Sequence, residues 1–122
     1  MTGDARRPLR VAEIIRAEFT TAVLKRLDDP RMAALVVTRV HVSDDLSVID
    51  IAVRFMGAEA AADRQKLFSR LRRAMPRLTR AILPRLELRR APELRLHYDE
   101  GQDAARRVDE LLDEISRDPK SE

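Results

Sequence analysis

Apolar residues recur at helical spacing near the N-terminus. Pro8 suits the first turn of a helix, where its missing N–H needs no partner, and Pro30 disfavours helix at Asp29. The apolar positions between the two prolines are Val11, Ile14, Ile15, Phe19, Ala22, Val23 and Leu27. The pattern predicts an amphipathic helix from Pro8 to about Asp28. The polar residues up to Arg31 are then expected to form a turn.

The pattern changes to strict alternation after this turn. A first strand is predicted over Leu35–Val42, with one face formed by Val36, Thr38, Val40 and Val42. A second strand follows, in which the apolar positions are Ile49, Ile51, Val53 and Phe55. Ser43 to Leu46 is typical of a tight connection, because serine and aspartate side chains bind local backbone groups. The two segments predict a β-hairpin with one buried face.

A long segment with helical periodicity comes next. Its apolar stripe consists of Leu67, Leu71, Ala74, Met75, Leu78 and Ile82. Pro76 lacks the N–H for a helical hydrogen bond, and its ring crowds the carbonyl four residues earlier. We therefore predict a helix, a kink at Ala74-Met75-Pro76, and a second helix from Pro76 to about Leu83, ended by Pro84.

The last part of the chain predicts a strand and a helix. Leu94, Leu96 and Tyr98 alternate with Arg95 and His97, as in a strand. Asp99 followed by Gln102 resembles a capping box, and the helix after it has the apolar positions Val108, Leu111, Leu112 and Ile115. The predicted fold class is α+β, in the order α-β-β-α-kink-α-β-α, with helices packed on a three-stranded sheet.

The length of 122 residues predicts one domain. We expect a disordered basic tail over residues 1–7, the folded domain over residues 8–116 and a disordered tail over residues 117–122. No apolar stretch is long enough to span a membrane, and no apolar core of a signal peptide stands near Met1. A cytoplasmic protein is the expectation.

Positive charge is concentrated between Arg64 and Arg95. This segment contains eleven cationic and two anionic residues, although the net charge of the whole chain is only +3. Five cations fall on one line of the predicted helix: Lys66, Arg70, Arg73, Arg77 and Arg80. Such a line suits a polyanion. An ordinary solvated helix face is the alternative, but such faces mix both signs of charge. Arg72 lies off the line and is expected to cover the edge of the core.

The composition argues against several kinds of chemistry. The chain has no cysteine, and its two histidines, His41 and His97, lack an obvious metal-ligand pattern. Neither a nucleophile motif around Ser43, Ser47 or Ser69 nor a glycine-rich phosphate loop is present. We expect no enzyme activity, no metal and no cofactor. Aromatic residues make up only 3% of the chain, so base stacking is not expected to dominate recognition of nucleic acid.

Four pieces of the sequence, in this order, resemble the bacterial ribosome-binding factor A family. They are Arg7-Pro8-Leu9-Arg10-Val11, Asp29-Pro30-Arg31, Val40-His41-Val42-Ser43-Asp44-Asp45-Leu46, and Pro92-Glu93-Leu94 with Tyr98-Asp99. The resemblance implies a type II variant of the KH nucleic-acid-binding fold. KH domains clamp RNA with a Gly-x-x-Gly loop, which this chain lacks. The family has an Ala-x-Gly kink instead, and it maps onto Ala74-Met75-Pro76, with proline in place of glycine.

The resemblance implies a ribosome assembly factor that binds the small ribosomal subunit and assists late maturation of its rRNA. Its partners would be rRNA and possibly ribosomal proteins, and it would be a monomer when free. The expected RNA-binding residues are those of the predicted kink with Arg70, Arg73, Arg77 and Arg80, and a second patch formed by Arg6, Arg7 and Arg10. The alternative is a protein-interaction module whose arginines bind an acidic protein.

Overall fold

The structure, a computed structural model, describes residues 6–58 and 61–101. Two helices cover one face of a three-stranded sheet, and their apolar residues form a single core with it. The elements are α1 (Arg6–Arg26), a 3₁₀ helix (Pro30–Ala34), β1 (Leu35–Val42), β2 (Val48–Phe55), α2 (Ala61–Leu86) and β3 (Glu93–Tyr98). The α+β class and the three-stranded sheet are therefore confirmed. The predicted C-terminal helix, the predicted C-terminal tail and residues 1–5 of the predicted N-terminal tail lie outside the described residues.

The predicted hairpin forms the first two strands of the sheet. β1 pairs antiparallel with β2, and β3 pairs parallel with the other edge of β2, which gives the order β1-β2-β3. The alternating residues Ile49, Ile51 and Val53 of β2 are fully buried, as predicted. The backbone N–H of Ser43 donates to the carbonyl of Val48 at 2.9 Å and closes the hairpin turn.

The predicted face of β1 is wrong in its first half. The register of β1 against β2 shifts between Val37 and Arg39, so Thr38 is an extra residue in the ladder. Such a bulge exchanges the two faces of a strand. Leu35 is consequently buried and Val36 is exposed, whereas Val42 beyond the bulge points into the core as predicted.

The helix α1 begins at Arg6, two residues before its predicted start at Pro8. Arg6 and Arg7 therefore belong to the helix, and assigning them to a disordered tail was wrong. The helix ends at Arg26. The predicted turn after it contains a short 3₁₀ helix, which Asp29 caps by accepting a hydrogen bond from the backbone N–H of Arg31 at 3.0 Å.

The helix α2 runs without a break from Ala61 to Leu86 and contains both Pro76 and Pro84. The predicted division into two helices at Pro76 was wrong, as was the predicted end at Pro84. Both prolines are exposed, while the apolar stripe, including Leu71 and Leu78, is buried against α1 and the sheet. Packing of an amphipathic face contributes most of a helix's stability in proteins, which offsets the two hydrogen bonds that the prolines cannot make.

Candidate nucleic-acid interface

The burial of α2 fixes the direction of its cationic residues. The apolar stripe faces the core, so Lys66, Arg70, Arg73, Arg77 and Arg80 all lie on the exposed surface. From Lys66 to Arg80 this cationic line extends along about 21 Å of helix axis. Arg72, off the line, places its guanidinium 5.0 Å from the centre of the Phe68 ring and so covers the edge of the core.

A groove of about 880 Å³ runs between α2 and the segment that joins α1 to the 3₁₀ helix. We call it the basic groove, because six of its lining residues are cationic: Arg26, Arg31, Lys66, Arg70, Arg73 and Arg77. Asp28 is the one carboxylate in the described lining. This arrangement brings together cations that are up to about fifty positions apart in sequence and directs them at one volume.

Asp29 lies behind the basic groove and connects its two walls. Its side chain is 5% exposed, and its Oδ2 accepts hydrogen bonds from Arg70 Nη1 at 2.6 Å and from Arg31 Nη2 at 3.0 Å. Its Oδ1 accepts from Arg31 Nε at 3.2 Å. Hydrogen bonds from Arg31, supported by the one from Arg70, hold the pKa of the Asp29 carboxyl well below its usual range. Asp29 is therefore an ionised anchor for both arginines.

The anchoring leaves donors available for a ligand. A guanidinium has five N–H donors, and Arg70 uses one nitrogen for Asp29 while its side chain stays 56% exposed. Within the described part of the chain, no ion pair engages Arg73 or Arg77. The groove thus combines two positioned arginines with Arg73 and Arg77, which take part in no ion pair within residues 6–58 and 61–101.

The predicted residues of the kink have different environments. Ala74 is buried where it contributes to the floor of the basic groove, and Met75 is buried in the core. Pro76 is exposed on the outer side of α2. The structure therefore leaves Pro76 as the accessible side chain of the predicted Ala74-Met75-Pro76 contact.

The other predicted arginines do not line the basic groove. Arg80 lines a separate hollow beside residues 88–92, and Arg7 lines another one beside the hairpin turn. Arg6 and Arg10 are exposed on α1 but do not line any of these three cavities. The structure thus separates the predicted second patch from the basic groove.

Reasoning from sequence missed Arg26 and Arg31 as lining residues of the groove. Both lie in or beside a segment that predicts a turn, and helical periodicity along α2 carries no information about its neighbours. The only signal was the Asp29-Pro30-Arg31 sequence, which was used to predict a turn and the family resemblance but not an RNA contact.

Residues 6–58 and 61–101 contain no group of three or more histidine, cysteine or acidic residues that could hold a metal ion. His97 Nε2 lies 2.7 Å from Asp50 Oδ1 on the sheet face opposite the helices. None of the described helices is long and apolar enough to cross a membrane.

Comparison with known proteins agrees with the predicted resemblance. A sequence model described as ribosome-binding factor A matches residues 7–112. The chain belongs to the ribosome-binding factor A family. It is 45% identical over 116 residues to the ribosome-binding factor A of Sorangium cellulosum, covering 94% of this chain and 93% of the relative. That of Chromohalobacter salexigens is 35% identical over 117 residues, covering 96% and 89% of the two chains.

Solved structures of ribosome-binding factor A proteins have a similar fold. The crystal structure from Thermus thermophilus matches with a TM-score of 0.59 and 27% identity, covering 73% of this chain and 92% of the other. A solution structure of a candidate ribosome-binding factor A from Thermotoga maritima matches with a TM-score of 0.65 and 30% identity, covering 81% of this chain and 92% of the other. A homology model of the Thermus protein, fitted into a cryo-EM map of its 30S complex, matches with a TM-score of 0.50 and 30% identity. The match covers 72% of this chain and 94% of the other.

Proposed function

We propose that this protein binds the small ribosomal subunit through the phosphate groups of its rRNA, and that the basic groove is the main contact. Membership of the ribosome-binding factor A family supports the small ribosomal subunit as the partner, and so does the 30S complex of the Thermus relative. The observation that carries the proposal is the convergence of six cationic side chains on one groove. As an assembly factor, it assists late maturation of the small-subunit rRNA and leaves as a monomer.

Recognition in the groove depends on charge and shape. Arginine forks bind phosphate oxygens through two parallel hydrogen bonds and need no particular base. The aromatic rings do not offer a stacking platform, since Phe19 and Phe55 are buried and Phe68 and Tyr98 are half-buried and pack against each other. Affinity is therefore expected to fall steeply as the salt concentration rises.

The proposed ribosome-binding domain extends over residues 8–116. The family match to residues 7–112 supports this extent. The basic groove lies entirely within it, because its lining residues run from Arg26 to Arg77.

Co-sedimentation with immature and mature small ribosomal subunits across a salt series tests this function. We expect binding that prefers the immature particle and weakens steeply with salt. The matched variants are Arg73→Glu/Arg77→Glu in the groove and Arg39→Glu/Arg95→Glu on the sheet face opposite the helices, which change the net charge equally. A groove variant that sediments with the particles as well as the control variant does would overturn the proposal.

A further inference from the structure

Two hollows flank the loop between α2 and β3. One has a volume of about 590 Å³ and is lined by Arg7 and by the hairpin turn at Asp45 to Ser47. The other has a volume of about 420 Å³ and is lined by Arg80 and by residues near Pro84 and Pro92. Both hollows share residues 88–91, which include Arg89 and Arg90. We call the combined area the loop surface.

The loop surface is cationic and has little internal counter-charge. Four arginines line it: Arg7, Arg80, Arg89 and Arg90. In residues 6–58 and 61–101 none of the four takes part in an ion pair. The only carboxylate in the described lining, that of Asp45, accepts hydrogen bonds from Ser47 Oγ at 2.6 Å and Ser43 Oγ at 2.8 Å. These bonds all reach Oδ1 and lower the pKa of Asp45, so the carboxylate stays ionised and offsets only one of the four positive charges.

The loop that carries Arg89 and Arg90 is held at both ends. Before it, α2 ends at the buried Leu86, and Leu88 packs against the core. After it, Pro92 is buried, and the backbone N–H of Glu93 donates to the carbonyl of Ser47 at 2.9 Å. The exposed guanidinium groups therefore project from a fixed backbone, which reduces the ordering cost of binding a ligand.

The loop surface adjoins the basic groove along α2. Arg77 lines the groove and Arg80 lines the hollow beside the loop. Residues three apart are neighbours on a helix surface, so the cations continue from one region into the other. A single extended polyanion can therefore contact both regions, whereas a short ligand reaches only one.

We propose that the loop surface binds a second stretch of RNA backbone, continuous with the stretch in the basic groove. This inference rests on the function proposed above and assigns Arg7, Arg80, Arg89 and Arg90 to phosphate contact. RNA fits better than an acidic protein because the lining contains no aromatic residue, whereas protein-binding hot spots combine arginine with tryptophan or tyrosine.

The test compares RNA duplexes of two lengths across a salt series, with a poly-glutamate peptide as the competing class of ligand. The variants are Arg89→Glu/Arg90→Glu, the groove variant Arg73→Glu/Arg77→Glu and the control Arg39→Glu/Arg95→Glu. For a duplex of about 20 base pairs, the loop variant should bind roughly tenfold more weakly or worse than the control, and its log–log salt slope should fall by about 1.5. A duplex of about 6 base pairs reaches only one of the two regions at a time and can still bind the intact groove, so the loop variant should lose much less affinity for it than for the long duplex.

Equal binding of the long duplex by the loop variant and the control would overturn the inference. It would leave the proposed function intact if the groove variant still lost affinity. Loss of poly-glutamate binding by the loop variant, with RNA binding unchanged, would assign the loop surface to an acidic protein and overturn the inference as well. Circular dichroism establishes that each variant is folded, and Arg89→Gln/Arg90→Gln replaces the loop variant if charge reversal prevents folding.

Discussion

Asp29 and Arg70, separated by 41 positions in sequence, form an ion pair with 2.6 Å between Oδ2 and Nη1. The pair connects the segment after α1 with the outer face of α2, which form the two walls of the basic groove. Since the same carboxylate also binds Arg31, one buried anion positions two exposed cations. The proposed RNA contact therefore depends on an acidic residue whose own negative charge would repel RNA.

Replacing Asp29 with Asn should remove a pH-dependent part of the stability. The folded-state pKa of Asp29 lies below its ordinary value of 3.8, so the ionised carboxylate stabilises the fold above that value, and this contribution disappears as the pH falls through and below it. The difference in unfolding temperature between the wild type and Asp29→Asn should be constant from about pH 5 to 7 and should shrink below about pH 4.

The exposed Asp44 in the hairpin turn provides a matched control for this experiment. Asp44→Asn removes the same charge without affecting the groove, so its unfolding temperature should follow that of the wild type. A difference between wild type and Asp29→Asn that does not change from pH 7 to pH 3 would contradict the assigned role of the charge.

Charge reversal in the groove should separate binding from stability. Arg73 and Arg77 are exposed and, in the described part of the chain, have no ion pair to lose. Arg73→Glu/Arg77→Glu should weaken RNA binding by roughly tenfold or more and change the free energy of unfolding by no more than about 0.5 kcal/mol per site. Fluorescence anisotropy with RNA and denaturant titration measure the two effects. Unfolded variants would show that these arginines are structural.

Leu71→Ala is the opposite control for the groove variant. Leu71 is fully buried beneath the cationic line, so its truncation should cost about 2–5 kcal/mol of stability without changing the charge. RNA affinity of the fraction that remains folded should be close to that of the wild type.

The local sequence pattern was sufficient to predict much of the fold, because helices and strands each space their apolar residues at a characteristic interval. The alternation in β2 predicted Ile49, Ile51 and Val53 as core residues, and all three are fully buried. The same alternation failed in β1, because the bulge at Thr38 depends on how two strands pair. An isolated strand pattern does not contain that information.

The cationic line of α2 was predictable, whereas the groove was not. Spacing along one helix placed Arg73 and Arg77 together, but the opposite wall depends on the path of the chain after α1. Arg31 reaches the groove because Asp29 caps the 3₁₀ helix and holds its side chain. The effect of proline was overestimated for a related reason: burial of the apolar stripe keeps α2 continuous across Pro76.

Glu87, the first residue after α2, has a left-handed backbone conformation that glycine adopts more easily. Its φ is +53°, and a side chain in this region costs about 1 kcal/mol or more relative to glycine. Glu87→Gly should therefore increase the free energy of unfolding by about 0.5–1 kcal/mol. Glu87→Ala removes the same carboxylate but keeps Cβ, so it should give no such increase. Equal effects of the two variants in denaturant titration would contradict the role of the backbone conformation.

Pro76 should be replaceable by alanine with a gain in stability. Alanine restores an N–H that can donate to the carbonyl of Arg72, and proline in a helix interior costs up to about 3 kcal/mol relative to alanine. We expect Pro76→Ala to increase the free energy of unfolding by at least about 1 kcal/mol, and Pro84→Ala to give less, because α2 ends two residues after Pro84. If the arginine line carries the proposed RNA contact, affinity should be unchanged in Pro76→Ala and in Pro76→Gly, the latter restoring the residue expected from the family pattern. A folded Pro76→Ala variant that loses RNA binding would show instead that the proline ring, or the local geometry it imposes, belongs to the contact.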